Sequence, residues 1–142
     1  MTTKRPNILF LMADELRADA LGFAGDSVVR TPFLDSVAKS GVIFRNAYTP
    51  SPICVPARQC MVSEKLPKSC GCLTYGDDLP PDEMTFPLRL SQYGYHTVAR
   101  GELHHSAPDQ MHGWRHRMGA EQEVYPRHIP GLERRNSLNR TP

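Results

Sequence analysis

Proline limits what this chain can build more than any other residue: thirteen of its 142 residues are proline, nearly twice the usual share of about 5%. Each fixes φ and removes a backbone donor, which confines it to loops, strand edges and first helical turns. The chain is therefore expected to be rich in loops and short in regular structure. Thr49-Pro-Ser-Pro-Ile-Cys-Val-Pro56 is too proline-dense for a central strand. Pro32 and Pro56, by contrast, suit the first turn of a helix.

Between these breaks the apolar pattern predicts alternating strands and helices. The run Asn7-Ile-Leu-Phe-Leu-Met12 has the length and flanks of a strand buried on both faces of a parallel sheet. A helix opens at Thr31-Pro32 with Phe33, Leu34, Val37 and Ala38 on one face, and Gly41 closes it. Val42–Tyr48 reads as a second strand and Ala57–Ser63 as a short helix. Residues 64–82 read as loop. Asp82 or Thr85 caps a further helix that turns Phe86, Leu88, Leu90 and Tyr93 inward and stops at Gly94. Tyr95–Ala99 reads as a third strand. This order predicts an α/β fold, a mainly parallel sheet flanked by helices. Regular periodicity fades after Arg100, in the segment that holds His104, His105, His112, His116 and His128. Residues 1–114 form the patterned part and 115–142 an irregular basic tail, the last ten residues solvated.

A chain of this length forms one domain and buries roughly 68–70% of its unfolded surface. Seventeen Lys and Arg against fifteen Asp and Glu leave a net charge of +2, too balanced for nucleic acid or an anionic membrane as partner. No apolar run approaches the ~20 residues of a membrane span. The run from Ile8 to Ala13 is too short for a signal-peptide core. The expected compartment is the cytoplasm, with reduced cysteines. Cysteines at 54, 60, 70 and 72 include no C-x-x-C pair, which disfavours a structural zinc site. Cys60 reads as a core thiol and Cys70-Gly-Cys72 as exposed loop.

Two constellations could carry chemistry. Asp14-Glu15 follow the first apolar run directly, and ligands of open α/β sheets bind beyond the carboxyl ends of strands. Adjacent carboxylates there suit a hard divalent cation, or simply form a solvated turn. Cys54-Val-Pro-Ala-Arg58 stands at the mouth of a short helix. A thiol there, four residues before an arginine, is either an electropositive reactive site or a small buried apolar group beside a surface arginine.

Arg5–Asp14, Thr31–Asp35, Gly41–Tyr48 and Cys54-Val-Pro-Ala-Arg58, in this order, resemble the N-terminal part of the sulfatase family. Gly101-Glu-Leu-His104 and Pro108–Trp114 look most like its branch containing choline sulfatase and phosphonate monoester hydrolases. The resemblance implies the N-terminal part of an alkaline-phosphatase-like fold and the hydrolysis of sulfate esters, with phosphonate or phosphate esters as the alternative. It implies that the cysteine of C-x-P-x-R, Cys54, is converted to formylglycine, whose hydrated aldehyde is the nucleophile, so that a hard step is split in two. The catalytic residues would be Cys54, Arg58 and His104. Asp14, Glu15 and the oxygen replacing the Cys54 sulfur would hold a divalent metal, Ca²⁺ before Mg²⁺ or Mn²⁺. The implied partners are a small sulfate-ester substrate and a formylglycine-generating maturation enzyme, with a homo-oligomer or a missing C-terminal portion completing the molecule.

The chain also departs from the family pattern. Glu15 stands where many relatives carry Asp, and Ala57 replaces the commoner Ser. Ser63-Glu64 replaces Thr-Gly, and Glu102 replaces the lysine of Gly-Lys-x-His, putting a carboxylate where the family contacts the anionic ester. Family members are several times longer, and their remaining metal ligands lie past the equivalent of Pro142. A non-catalytic truncated homologue is the contrasting expectation.

Overall fold

Helices form where the prolines allow them to start. In the computed structural model, which describes residues 5–119, α1 spans Pro32–Ser40, α2 Cys54–Ser63, α3 Pro67–Cys70 and α4 Phe86–Gln92. Proline occupies the first or second position of α1, α3 and α4, where its missing donor costs no helical hydrogen bond. Two strands follow, β1 Val98–Arg100 and β2 His116–Met118, paired in parallel with Val98 opposite His116 and Arg100 opposite Met118. The chain divides into a unit ending at Ala47 and one beginning at Tyr48. Among the described residues no helix is long and apolar enough to cross a membrane. His128 and the terminal residues expected to be solvated lie outside the described residues.

The first unit holds a 3₁₀ turn, Gly22–Ala24, and α1. Thr31 stands before α1 as expected, but its hydroxyl accepts from the Gly22 N–H and donates to Asp35. Asp35 also accepts from the Phe23 N–H at 2.9 Å, so one carboxylate in the first turn of α1 ties the 3₁₀ turn to the helix. The expected strand at 7–12 is extended chain without strand assignment, and Val42–Tyr48 contains a turn in place of a strand. Their side chains are exposed, Leu9 to 81% and Phe44 to 80%. The reason is physical: a parallel strand is held by neighbours in the ladder, and among the described residues the one sheet ladder joins β1 and β2.

The second unit has a true interior. Cys60, Val62, Cys70, Cys72 and Leu79 are buried together, with Met61 and Phe86 packed against them. Cys60 is a core thiol, as the pattern suggests, but Cys70 and Cys72 are interior as well rather than exposed. The short α3 turns Cys70 inward, and Gly71, in the left-handed region, brings the chain back so that Cys72 follows it. Burial, aided by the neighbouring Cys70 thiol, pushes the Cys60 thiol up to about 11, which keeps it protonated and unreactive. α4 begins at Thr85, whose hydroxyl accepts from the Leu88 N–H at 3.2 Å. Its end near Gly94 is as expected, although Tyr93 faces solvent.

α2 starts at Cys54, three residues ahead of the expected helix, and ends at Glu64, whose φ is 59°. That left-handed conformation costs a non-glycine residue about 1–2 kcal/mol. Glu64→Gly is therefore expected to stabilise the protein by about 0.5–1 kcal/mol, because the relief exceeds glycine's extra chain entropy. A higher denaturant midpoint at unchanged slope is the result to look for, and an unchanged midpoint would count against it.

Candidate active site

The segment joining two parallel strands must be long enough to cross over, and here it is residues 101–115. It leaves the carboxyl end of β1 through Gly101 at φ 92° and reaches Glu102 and His104, the latter held at φ 58°. A non-glycine residue in this region marks a loop fixed by its surroundings.

What fixes it is α2. The Arg58 side chain, 9% exposed, donates through Nη1 to the main-chain carbonyl of Glu102 at 2.5 Å, and its Nη2 lies 3.4 Å from Glu102 Oε2. Gln59, fully buried, donates to the main-chain carbonyl of His104. Glu102 Oε1 in turn meets His104 Nε2 at 2.5 Å, and the edge of Tyr75 packs against the His104 ring. Arg58 and His104 are thus brought together through Glu102. Cys54, half-buried, opens the same helix one turn before Arg58, and residues four apart share a helical face. The carboxylate at 102 is therefore engaged by the arginine and the histidine, an arrangement that local sequence does not reveal.

Asp14 and Glu15 lie in the first unit, in an exposed turn at the end of the extended run. Glu15 is in the left-handed region, at φ 51°. Their oxygens are hard donors of the kind that calcium takes. Trp114 packs edge-on against Phe86 with ring centroids 5.7 Å apart.

Sequence reasoning missed a second cluster. Asp78, His105 and His112 are buried together and offer ligand atoms all within 4.8 Å of one another. Burial works to raise the Asp78 carboxyl, but the two imidazoles and the Ala107 N–H outweigh it and hold it well below the usual carboxylate range. Burial also lowers the His105 imidazole. Separations of 27 and 7 residues match no short motif, and the only available signal was the density of histidine after Arg100.

Comparisons with known proteins assign the family and the fold. The sulfatase family profile matches residues 6–128. The choline-sulfatase of Rhizobium meliloti is 32% identical over 126 residues, which are 89% of this chain and 24% of that protein. The arylsulfatase of Clostridium perfringens is 38% identical over 101 residues, 70% of this chain and 21% of that protein. The solved structure of BT4656 in complex with its substrate D-glucosamine-2-N,6-O-disulfate superposes with a TM-score of 0.78 at 31% identity, over 85% of this chain and 24% of that one. The fold class is therefore the expected one, α/β and alkaline-phosphatase-like. Within that class the chain belongs to the sulfatase family, and it spans about a quarter of the length of these relatives.

Proposed function

We propose that this chain carries the nucleophile of a sulfuric ester hydrolase acting on small sulfate esters. The observation that supports it most is the C-x-P-x-R segment at the start of α2, with Cys54 in the first turn and a buried Arg58 that reaches the crossover loop before His104. In this reading Cys54 is matured to formylglycine, which supplies a hydrated aldehyde as the nucleophile. The N-terminus of α2, which has no side-chain cap, presents a positive dipole end, favourable to an anionic ester. Arg58 adds a positive charge one turn along. His104 carries the proton needed by the departing alcohol, and Glu102, hydrogen-bonded at Nε2, fixes its ring and tautomer.

Asp14 and Glu15 would supply carboxylate oxygens to a divalent cation, calcium first, with magnesium or manganese as alternatives. Once bound, the ion would polarise the ester oxygens.

Glu102 favours a second reading, a non-catalytic homologue, since its carboxylate stands in the place of the expected lysine. Mass spectrometry of the peptide spanning Cys54, after co-expression with a formylglycine-generating enzyme, separates the two. Conversion of the –CH2SH side chain to an aldehyde, with sulfur and two hydrogens lost and one oxygen gained, is the expected result. An unmodified thiol would overturn the first reading in favour of the second.

A further inference from the structure

We propose that Asp78, His105 and His112 bind a transition-metal dication of the zinc type, at a site distinct from the Asp14–Glu15 pair. Two imidazole nitrogens and one carboxylate oxygen form a borderline donor set, suited to zinc or cobalt and unsuited to calcium, which takes oxygen alone. The inference stands whether or not the sulfatase reading of Cys54 holds.

The geometry matches such an ion. Asp78 Oδ1 lies 3.6 Å from His105 Nδ1 and 3.6 Å from His112 Nε2. Ligand atoms at zinc bond lengths of about 2.0–2.1 Å in a tetrahedron are roughly 3.4 Å apart, so both carboxylate–imidazole separations already lie close to that spacing, and all three ligand atoms fall within 4.8 Å of one another. A separation of 3.6 Å is too long for direct hydrogen bonds. Both ring nitrogens of His105 and of His112 are in fact buried without a hydrogen-bond partner. Four orphaned polar atoms in one place are destabilising as they stand, and an ion satisfies two of them directly. The rings are 4.4 Å apart and tilted by 49°, so they do not stack flat.

The ligands are also held in advance. Asp78 accepts from the Leu79 N–H at 2.8 Å through Oδ1 and from the Ala107 N–H at 2.6 Å through Oδ2. Asp109 places Oδ2 3.7 Å from His112 Nδ1, and its other oxygen accepts from the Met111 and His112 N–H groups. At 3.7 Å this is not a hydrogen bond, but a small approach on metal binding would make Asp109 the carboxylate that sets the tautomer and direction of the metal-bound imidazole. The His112 carbonyl accepts from the Thr85 hydroxyl at 2.5 Å while its backbone is left-handed, at φ 38°. Three protein ligands leave a fourth tetrahedral position for water or a substrate group.

Titrating the chelator-treated chain with Co²⁺ tests the site. One equivalent should bind with the strong visible absorption of tetrahedral cobalt and be displaced by Zn²⁺. The absorption should persist in Asp14→Asn and disappear in His105→Asn and His112→Gln. Should circular dichroism show those two unfolded, Asp109→Asn leaves all three ligands in place and should weaken Zn²⁺ binding about 10–100-fold. Absence of the absorption in the parent chain, its loss in Asp14→Asn, or unchanged zinc affinity in Asp109→Asn would overturn the proposal.

Discussion

Gly113→Ala should cost about 3 kcal/mol or more, enough to unfold a marginally stable domain. Gly113 sits at φ 91°, and a Cβ there would fall within 2.5 Å of the Leu88 Cα and closer still to its N and Cβ. The obstruction is helix backbone, which cannot rotate out of the way. The carbonyl of Gly113 also accepts from the Thr97 hydroxyl, which receives the Arg115 N–H as well. Displacing this residue therefore loosens the end of the crossover where it enters β2. Gly101 provides the control, since it has a similar φ of 92° but nothing within 4 Å of the added atom. Gly101→Ala should bear only the conformational strain, about 1–2 kcal/mol. Equal denaturation midpoints for the two variants would show that the close approach of Leu88 is not what matters.

The other large effect concerns turnover rather than stability. On the sulfatase reading, Cys54→Ala should lower aryl sulfate hydrolysis by about 10³-fold or more, since loss of a nucleophile removes most of the rate enhancement. Folding should change little, because Cys54 is half-buried in a first helical turn and alanine is a good helix former. A native circular dichroism spectrum with background hydrolysis is the expected pair of results. Retained activity would place the nucleophile elsewhere. Comparing aryl sulfate with aryl phosphonate in the parent chain then separates the two ester classes.

The helices were legible because their signals are local. Pro32 and Gly41 bracket α1, and Thr85 caps α4. The sheet was not, because strand identity is conferred by neighbours: Ile8–Met12 has the composition of an interior strand but joins no sheet among the described residues. β2 lies in a stretch of weak periodicity and exists through its pairing with β1. Of the candidate site, Cys54, Arg58 and His104 could be named because they match the sulfatase motifs that the sequence resembles. The Glu102 bridge and the Asp78–His105–His112 cluster could not, since both arise where the crossover folds back on segments distant in sequence. The buried Cys70 and Cys72 were misread for a related reason: a short polar-looking loop gave no hint that a single turn of helix would face both inward.

Arg58 and Gln59 hold the crossover by its main-chain carbonyls, at Glu102 and His104. A carbonyl belongs to every amino acid, so this attachment does not depend on the side chain at 102. Anchorage and charge are therefore separable variables in this loop. Residue 102 can change from acid to amide to base while the arginine keeps its main-chain hold, so the sign of the charge before His104 can vary without rebuilding the frame that carries it.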